Sequence, residues 1–289
     1  MEDNKHDVSR RDFTALSVAA GLTAAAGSAQ AAMAVTETDV TIKTPDGTCD
    51  AAFIRPASGK HPGVLIWTDI FGLRPTFRDM AKRLAGEGYS VLVPNPFYRT
   101  QKAPVIDDAS KFDFAAPADQ AKMKLWTTPI NEAGAIERDA AAYIGFLDKQ
   151  KEVDTAKKIG TQGYCMGGPL VFKTAAAINN RVGAGATFHG GGLVTDKPDS
   201  PHLLIPKMKT HMLIAIASND DAKQPDAKDK LKEAFASAKV PAEVEVYAGT
   251  LHGWCVRDMP LSAGKPIYNQ PDAERAWGRL LNLYKTSLV

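Results

Sequence analysis

The chain has 289 residues, 44% of them hydrophobic and 24% charged, which suits one large α/β domain and argues against a disordered chain. The 35 basic and 33 acidic residues leave a formal charge of +2, so no strong field draws the protein to nucleic acid or to an anionic membrane. Its three cysteines, Cys49, Cys165 and Cys255, include no Cys-x-x-Cys pair. A zinc ribbon, a thioredoxin motif and a disulfide framework are therefore poor readings.

The N-terminus reads as an address. Arg10 and Arg11 stand before Phe13, a mild apolar run fills residues 15–26, and small residues follow at 27–32. That order of charged, apolar and small regions is the layout of an export signal, and the paired arginines resemble the twin-arginine type. The apolar run is shorter than the ~20 residues a membrane span needs. The expectation is a signal over residues 1–31, cut after Ala31, a periplasmic mature protein with no membrane attachment, and one domain over residues 36–289.

Within that domain, residues 40–43 and 51–55 read as strands about the turn Pro45-Asp46-Gly47. Residues 64–68 form a continuous apolar run, the mark of a strand buried on both faces. Helical spacing of Phe77, Met80 and Leu84 predicts a helix over 74–87 that stops at Gly88. A buried strand at 89–93 ends at Pro94 and Pro96. Residues 97–130 read as an irregular excursion near the site. Then come a helix over 132–149, a strand at 158–164 and a helix opening at 167. Strands at 184–188, 212–217 and 242–247 alternate with helices at 225–238 and 272–284. This alternation predicts a mainly parallel sheet with helices on both faces.

The sharpest local signal is Gly163-Tyr164-Cys165-Met166-Gly167-Gly168, between a predicted strand and a predicted helix. That is the setting of a nucleophile elbow, here with cysteine as the nucleophile. Gly163 and Gly167 supply the small neighbours such a turn requires. The Cys165 sulfur would lie at a helix N-terminus, which favours a thiolate, and the Met166 N–H could serve an oxyanion. The plainer alternative is a buried structural cysteine beside glycines that let a helix pack on a strand.

An elbow enzyme carries its acid and then its histidine further along the chain. His252 follows the last predicted strand and is the favoured base. His189 ends an earlier strand and is its rival; His202 and His211 read as structural or solvated. Asp220 and Asp221 both follow the strand at 212–217. Asp221, four residues before Pro225, is preferred, although a polar turn at a helix start would also explain the pair.

Taken together these residues resemble the dienelactone hydrolase family. The resemblance rests on Thr68-Asp69-Ile70-Phe71-Gly72, Pro94-Asn95-Pro96-Phe97-Tyr98-Arg99, Lys124-Leu125-Trp126, the Cys165 elbow, Asp221 and His252-Gly253-Trp254, in that order. It implies an α/β-hydrolase fold and a cofactor-free, metal-free carboxylic-ester hydrolase acting on small lactones or related esters. It implies a Cys165–His252–Asp221 triad and an oxyanion hole from the backbone N–H groups of Ile70 and Met166. It also implies a carboxylate at the thiol, carried to Asp69 where the best-known members have Glu. Arg99 would hold a substrate carboxylate, with Arg257 a weaker candidate. The expected partner is a small molecule, and the chain a monomer or small homo-oligomer. Competing readings are a general periplasmic esterase or thioesterase, a non-catalytic binding protein on the same fold, and a thiol redox protein pairing Cys165 with Cys255.

Overall fold

The computed structural model describes residues 33–289; the export signal read over residues 1–31 lies outside them. Strands β1 (Val35–Thr44), β2 (Gly47–Pro56), β3 (Gly63–Trp67), β4 (Ser90–Pro94), β5 (Ile159–Tyr164), β6 (Val182–Phe188), β7 (His211–Ala217) and β8 (Ala242–Tyr247) share one sheet. Their order is β1-β2-β4-β3-β5-β6-β7-β8. β1 and β2 form an antiparallel hairpin, and β2 pairs antiparallel with β4. Every later pairing is parallel. Each residue of β3, β4, β5 and β6 is buried, which is why these strands read as continuous apolar or small-residue runs rather than alternating ones. β1 is the edge, exposed along most of its length.

The helices are α1 (Pro75–Gly86), α2 (Pro117–Ile130), α3 (Ala135–Leu147), α4 (Gly167–Ala177), α5 (Ser218–Lys223), α6 (Ala227–Ala238) and α7 (Gln270–Ser287). The chain leaves β3 through α1 to reach β4 on one side, and leaves β5 through α4 to reach β6 on the other. Parallel crossovers are right-handed, so opposite directions of travel put α1 and α4 on opposite faces of the sheet. α7 joins the α1 face: Arg83 of α1 pairs with Glu274 of α7 and lies 4.2 Å over the Trp277 ring. α3 packs with α4 on the other face.

That reversal of direction between β3 and β5 has a consequence for function. The loops leaving the two strands diverge, one above the sheet and one below, and open a crevice at their carboxyl ends. Ile70 follows β3 and Cys165 follows β5. The connectivity alone brings these two together.

Residues 97–130 correct the sequence reading. They hold a 3-10 turn at Ala109–Lys111 and the fourteen-residue α2. Pro117 at the helix start and Asp119 in the first turn are start signals. The apolar stripe is thin, with Trp126 and Ile130 its buried residues, so periodicity does not announce the helix. Aromatic contacts tie the excursion down. Phe112 packs 6.2 Å from Trp126 and 5.1 Å from Phe71, and Phe114 lies 5.9 Å from Phe71. Phe71 follows Ile70, so the excursion is anchored at the crevice.

Candidate active site

The turn from β5 into α4 holds Cys165 at φ 50°, in the left-handed region that a non-glycine residue adopts at a cost. Two backbone approaches force it. A Cβ on Gly163 would stand 2.2 Å from the Gly167 carbonyl oxygen, and one on Gly167 would stand 2.5 Å from the Trp67 carbonyl oxygen. Neither position has room for any side chain, so both glycines act as the elbow reading requires. The Cys165 backbone is satisfied: its N–H donates to Phe188 at 3.1 Å, and its carbonyl accepts from Gly168 at 3.0 Å. The side chain is then free to face a cleft of about 370 Å³ that it lines with Ile70 and His252.

His252 reaches the cleft from the loop after β8. Its backbone N–H donates to Asn219 Oδ1 at 2.8 Å, and its Nδ1 meets Asp220 Oδ2 at 2.6 Å. The other ring nitrogen is left for Cys165. Burial disfavours the imidazolium, but the Asp220 carboxylate and the Cys165 sulfur outweigh it, and the pKa is pushed up to about 10. The ring is therefore charged across the neutral range.

The preferred acid, Asp221, is corrected to Asp220. Both residues sit in α5, where neighbours point about 100° apart. Asp220 faces His252, while Asp221 turns away and holds Lys228 at 2.9 Å. A spacing argument measured to Pro225 could not resolve that rotation, because the short helix at 218–223 was not anticipated.

His189, the rival base, serves as a wall. It directly follows β6 at φ 42° and is buried, with its ring 4.9 Å from that of His252, edge to face. Burial first, and the charge of His252 second, drive its pKa well below the ordinary value. A neutral imidazole with no hydrogen-bond partner on either ring nitrogen among the described residues backs the His252 ring.

The two backbone donors implied for an oxyanion belong to residues on either side of the crevice. Ile70 lines the cleft beside Cys165, and Met166 caps α4 directly after it. Asp69, implied as a carboxylate at the thiol, is corrected to a structural group. Its two oxygens take both terminal nitrogens of the buried Arg74, at 2.6 and 2.9 Å, and Oδ1 also accepts from the Phe71 N–H at 2.9 Å. Arg74 turns its remaining edge to Asp258, at 2.7 and 2.8 Å. One guanidinium thus ties the loop carrying Ile70 to the loop carrying His252. Sequence reading missed Arg74, Asp258 and Asn219; only the folded geometry relates residues 69 and 74 to residue 258.

Arg99 is likewise corrected. It forks onto Asp139, at 2.8 Å from both terminal nitrogens, and reaches Asp46 at 2.6 Å. Tyr98 donates to the same Asp139 at 2.8 Å. This group fastens the β1–β2 turn to α3 and does not line the cleft of Cys165. Arg257 lies over Tyr268 at 5.4 Å and lines a separate cleft. The other two thiols are held protonated. Burial pushes Cys49 up to about 12, where it also hydrogen-bonds Asn95 and Tyr143, and burial raises Cys255 well above the usual range. Among the described residues no cluster of three or more His, Cys, Asp or Glu side chains is arranged to hold a metal ion.

Comparison with known proteins agrees with this architecture. The model of the dienelactone hydrolase family matches residues 49–288. A carboxymethylenebutenolidase of Rhodococcus opacus is 27% identical over 253 residues, covering 86% of this chain and 90% of the relative. Among solved structures, a dienelactone hydrolase-like promiscuous phosphotriesterase from metagenomic libraries superposes with a TM-score of 0.70 at 22% identity, covering 89% of this chain and all of the other. A dienelactone hydrolase of Anabaena variabilis gives 0.60 at 15% identity, over 88% of this chain and 99% of its own. At these identities the structural likenesses speak for the fold.

Two outcomes follow from the ion pairs. Arg99→Ala leaves buried Asp139 without its charged partner and should cost about 3 kcal/mol of unfolding free energy in urea, with the ratio of activities on anionic and neutral esters unchanged. A selective rise in KM for anionic esters would restore Arg99 to the site. For His252 the folded pKa lies above the unfolded one, so its stabilisation is fully present below about 6.5 and is lost as pH rises through about 10. Imidazole NMR titration should find that midpoint near 10, and Asp220→Asn should lower it; an ordinary midpoint in both proteins would refute the pairing.

Proposed function

We propose that this chain, which belongs to the dienelactone hydrolase family, hydrolyses carboxylic esters or lactones through a thioester on Cys165. Family membership makes it a hydrolase on an α/β-hydrolase fold; the cysteine chemistry and the substrate are the proposal. The observation that carries it is the joint placement of Cys165 and His252 in one cleft, with Asp220 Oδ2 at 2.6 Å behind the histidine.

In the first half-reaction the Cys165 thiolate attacks the carbonyl carbon and a C–S bond forms. The carbonyl oxygen becomes an oxyanion between the Ile70 and Met166 N–H groups, each such donor contributing ~3 kcal/mol to the transition state. The His252 imidazolium gives its proton to the leaving alkoxide as the C–O bond breaks, leaving a thioester. In the second, neutral His252 takes a proton from water, and the hydroxide attacks the thioester carbonyl. The C–S bond then breaks, the carboxylic acid departs, and the thiolate–imidazolium pair is restored. Asp220 holds the ring in one tautomer and stabilises its charged form throughout.

Two acidic variants separate this assignment from its alternative. Asp220→Asn should lower kcat on a p-nitrophenyl ester by on the order of 10⁴-fold, as loss of the orienting carboxylate does in triads. Asp221→Asn should stay within about twofold, since it releases only a half-buried lysine pair that does not line the cleft. Equal losses in the two variants, or full activity in Asp220→Asn, would contradict the triad.

A further inference from the structure

The arginine that the family resemblance implies at the substrate is committed elsewhere in this chain, and what lines the cleft with Cys165 is mainly apolar. Ile70, Met259 and Ile267 line the cleft together with Cys165. Three of the large hydrophobic side chains most exposed in the described chain, Phe114 at 45%, Leu251 at 38% and Leu261 at 59%, come together at this one cleft. Exposed apolar surface gathered at a single concave site marks something apolar to be bound there. Phe114 is held for the purpose, its ring packed on Phe71 and on Phe112 at 5.9 and 5.0 Å.

Cationic help for a substrate carboxylate is weak at this site. Both terminal nitrogens of Arg99 are taken by Asp139 and Asp46, and Arg74 is held by Asp69 and Asp258. Besides His252, whose charge is committed to Asp220, the one cation among the residues lining the cleft is Lys223. It is 73% exposed and lies 3.8 Å from Asp220, a carboxylate already engaged by His252. An ammonium so hydrated discriminates little between charged and neutral ligands. Meanwhile a carboxylate drawn into the apolar wall would lose water without a buried partner.

We infer that the cleft selects uncharged esters whose acyl group is apolar, alkyl or aryl, and disfavours substrates that carry a carboxylate on that group. Phe114, Leu251 and Leu261 are the residues that set the preference. The inference rests on the hydrolase reading above for its reaction, though its binding part stands on the cleft alone.

The test compares two esters that differ in one end. p-Nitrophenyl hexanoate and the mono-p-nitrophenyl ester of adipic acid share a six-carbon acyl chain, one ending in methyl and the other in carboxylate. The wild-type protein should show a kcat/KM at least tenfold higher for the hexanoate. Leu261→Arg, a change at an exposed rim position, should narrow that ratio at least fivefold by supplying the missing cation. Equilibrium binding of the same two esters to the Cys165→Ala protein should keep the preference for the hexanoate. Equal or better use of the adipate ester by wild type, or no preference in binding, overturns the inference. Preferential binding of the hexanoate without hydrolysis by wild type would instead sustain the apolar selection and overturn the reaction assigned to Cys165.

Discussion

Everything at the site depends on how closely α4 lies against the sheet. The helix start is pressed onto β3 and β5 so tightly that backbone meets backbone: Gly163 against the Gly167 carbonyl, and Gly167 against the carbonyls of Trp67 and Thr68. With no room for a Cβ on either side, the chain can turn only by passing its middle residue through positive φ, and that residue is Cys165. The strain is held in place by the burial of β5 and the β6 pairing beyond it. Its effect is to lift one sulfur out of the sheet at the N-terminus of a helix, at the point where the strand order reverses.

Around that fixed sulfur the remaining groups arrive on loops, and buried ion pairs set the loops. Arg74 joins Asp69 to Asp258, so the segment carrying Ile70 and the segment carrying His252 move as one. Stacking of Trp254 on Tyr247, 4.5 Å apart, fixes the same histidine loop to the end of β8. Arg99 does comparable work further away, bringing the hairpin turn at Asp46 to α3 through Asp139. A guanidinium matched in two directions by carboxylates has no remaining edge for a ligand. The architecture therefore spends its buried arginines on position, and the cleft is left to apolar side chains.

The sequence made the scaffold legible where one physical signal dominated. Continuous apolar runs marked β3 and β4, and the two small residues flanking Cys165 marked the elbow, because sterics there leave one choice. Legibility failed where several weak signals had to be combined. α2 buries chiefly Trp126 and Ile130, too few for periodicity. The choice between Asp220 and Asp221 turned on a helical rotation within a six-residue segment. Asp69 and Arg99 stood at the positions the resemblance pointed to, but what each does is decided by Arg74, Asp258, Asp139 and Asp46, and these contacts span up to 184 residues of chain. Pairing at such separations leaves no local trace.

The central claim is that one thiol of three does the chemistry. Titration of the native protein with iodoacetamide, with peptide mass mapping of each cysteine and an ester assay on the same samples, addresses it directly. Cys49 is buried and Cys255 half-buried, and both thiols are pushed up in pKa, so label should enter at Cys165 first, and hydrolysis should fall in proportion to the fraction of Cys165 alkylated. A protein with Cys165 fully carbamidomethylated and hydrolysis undiminished would contradict the account.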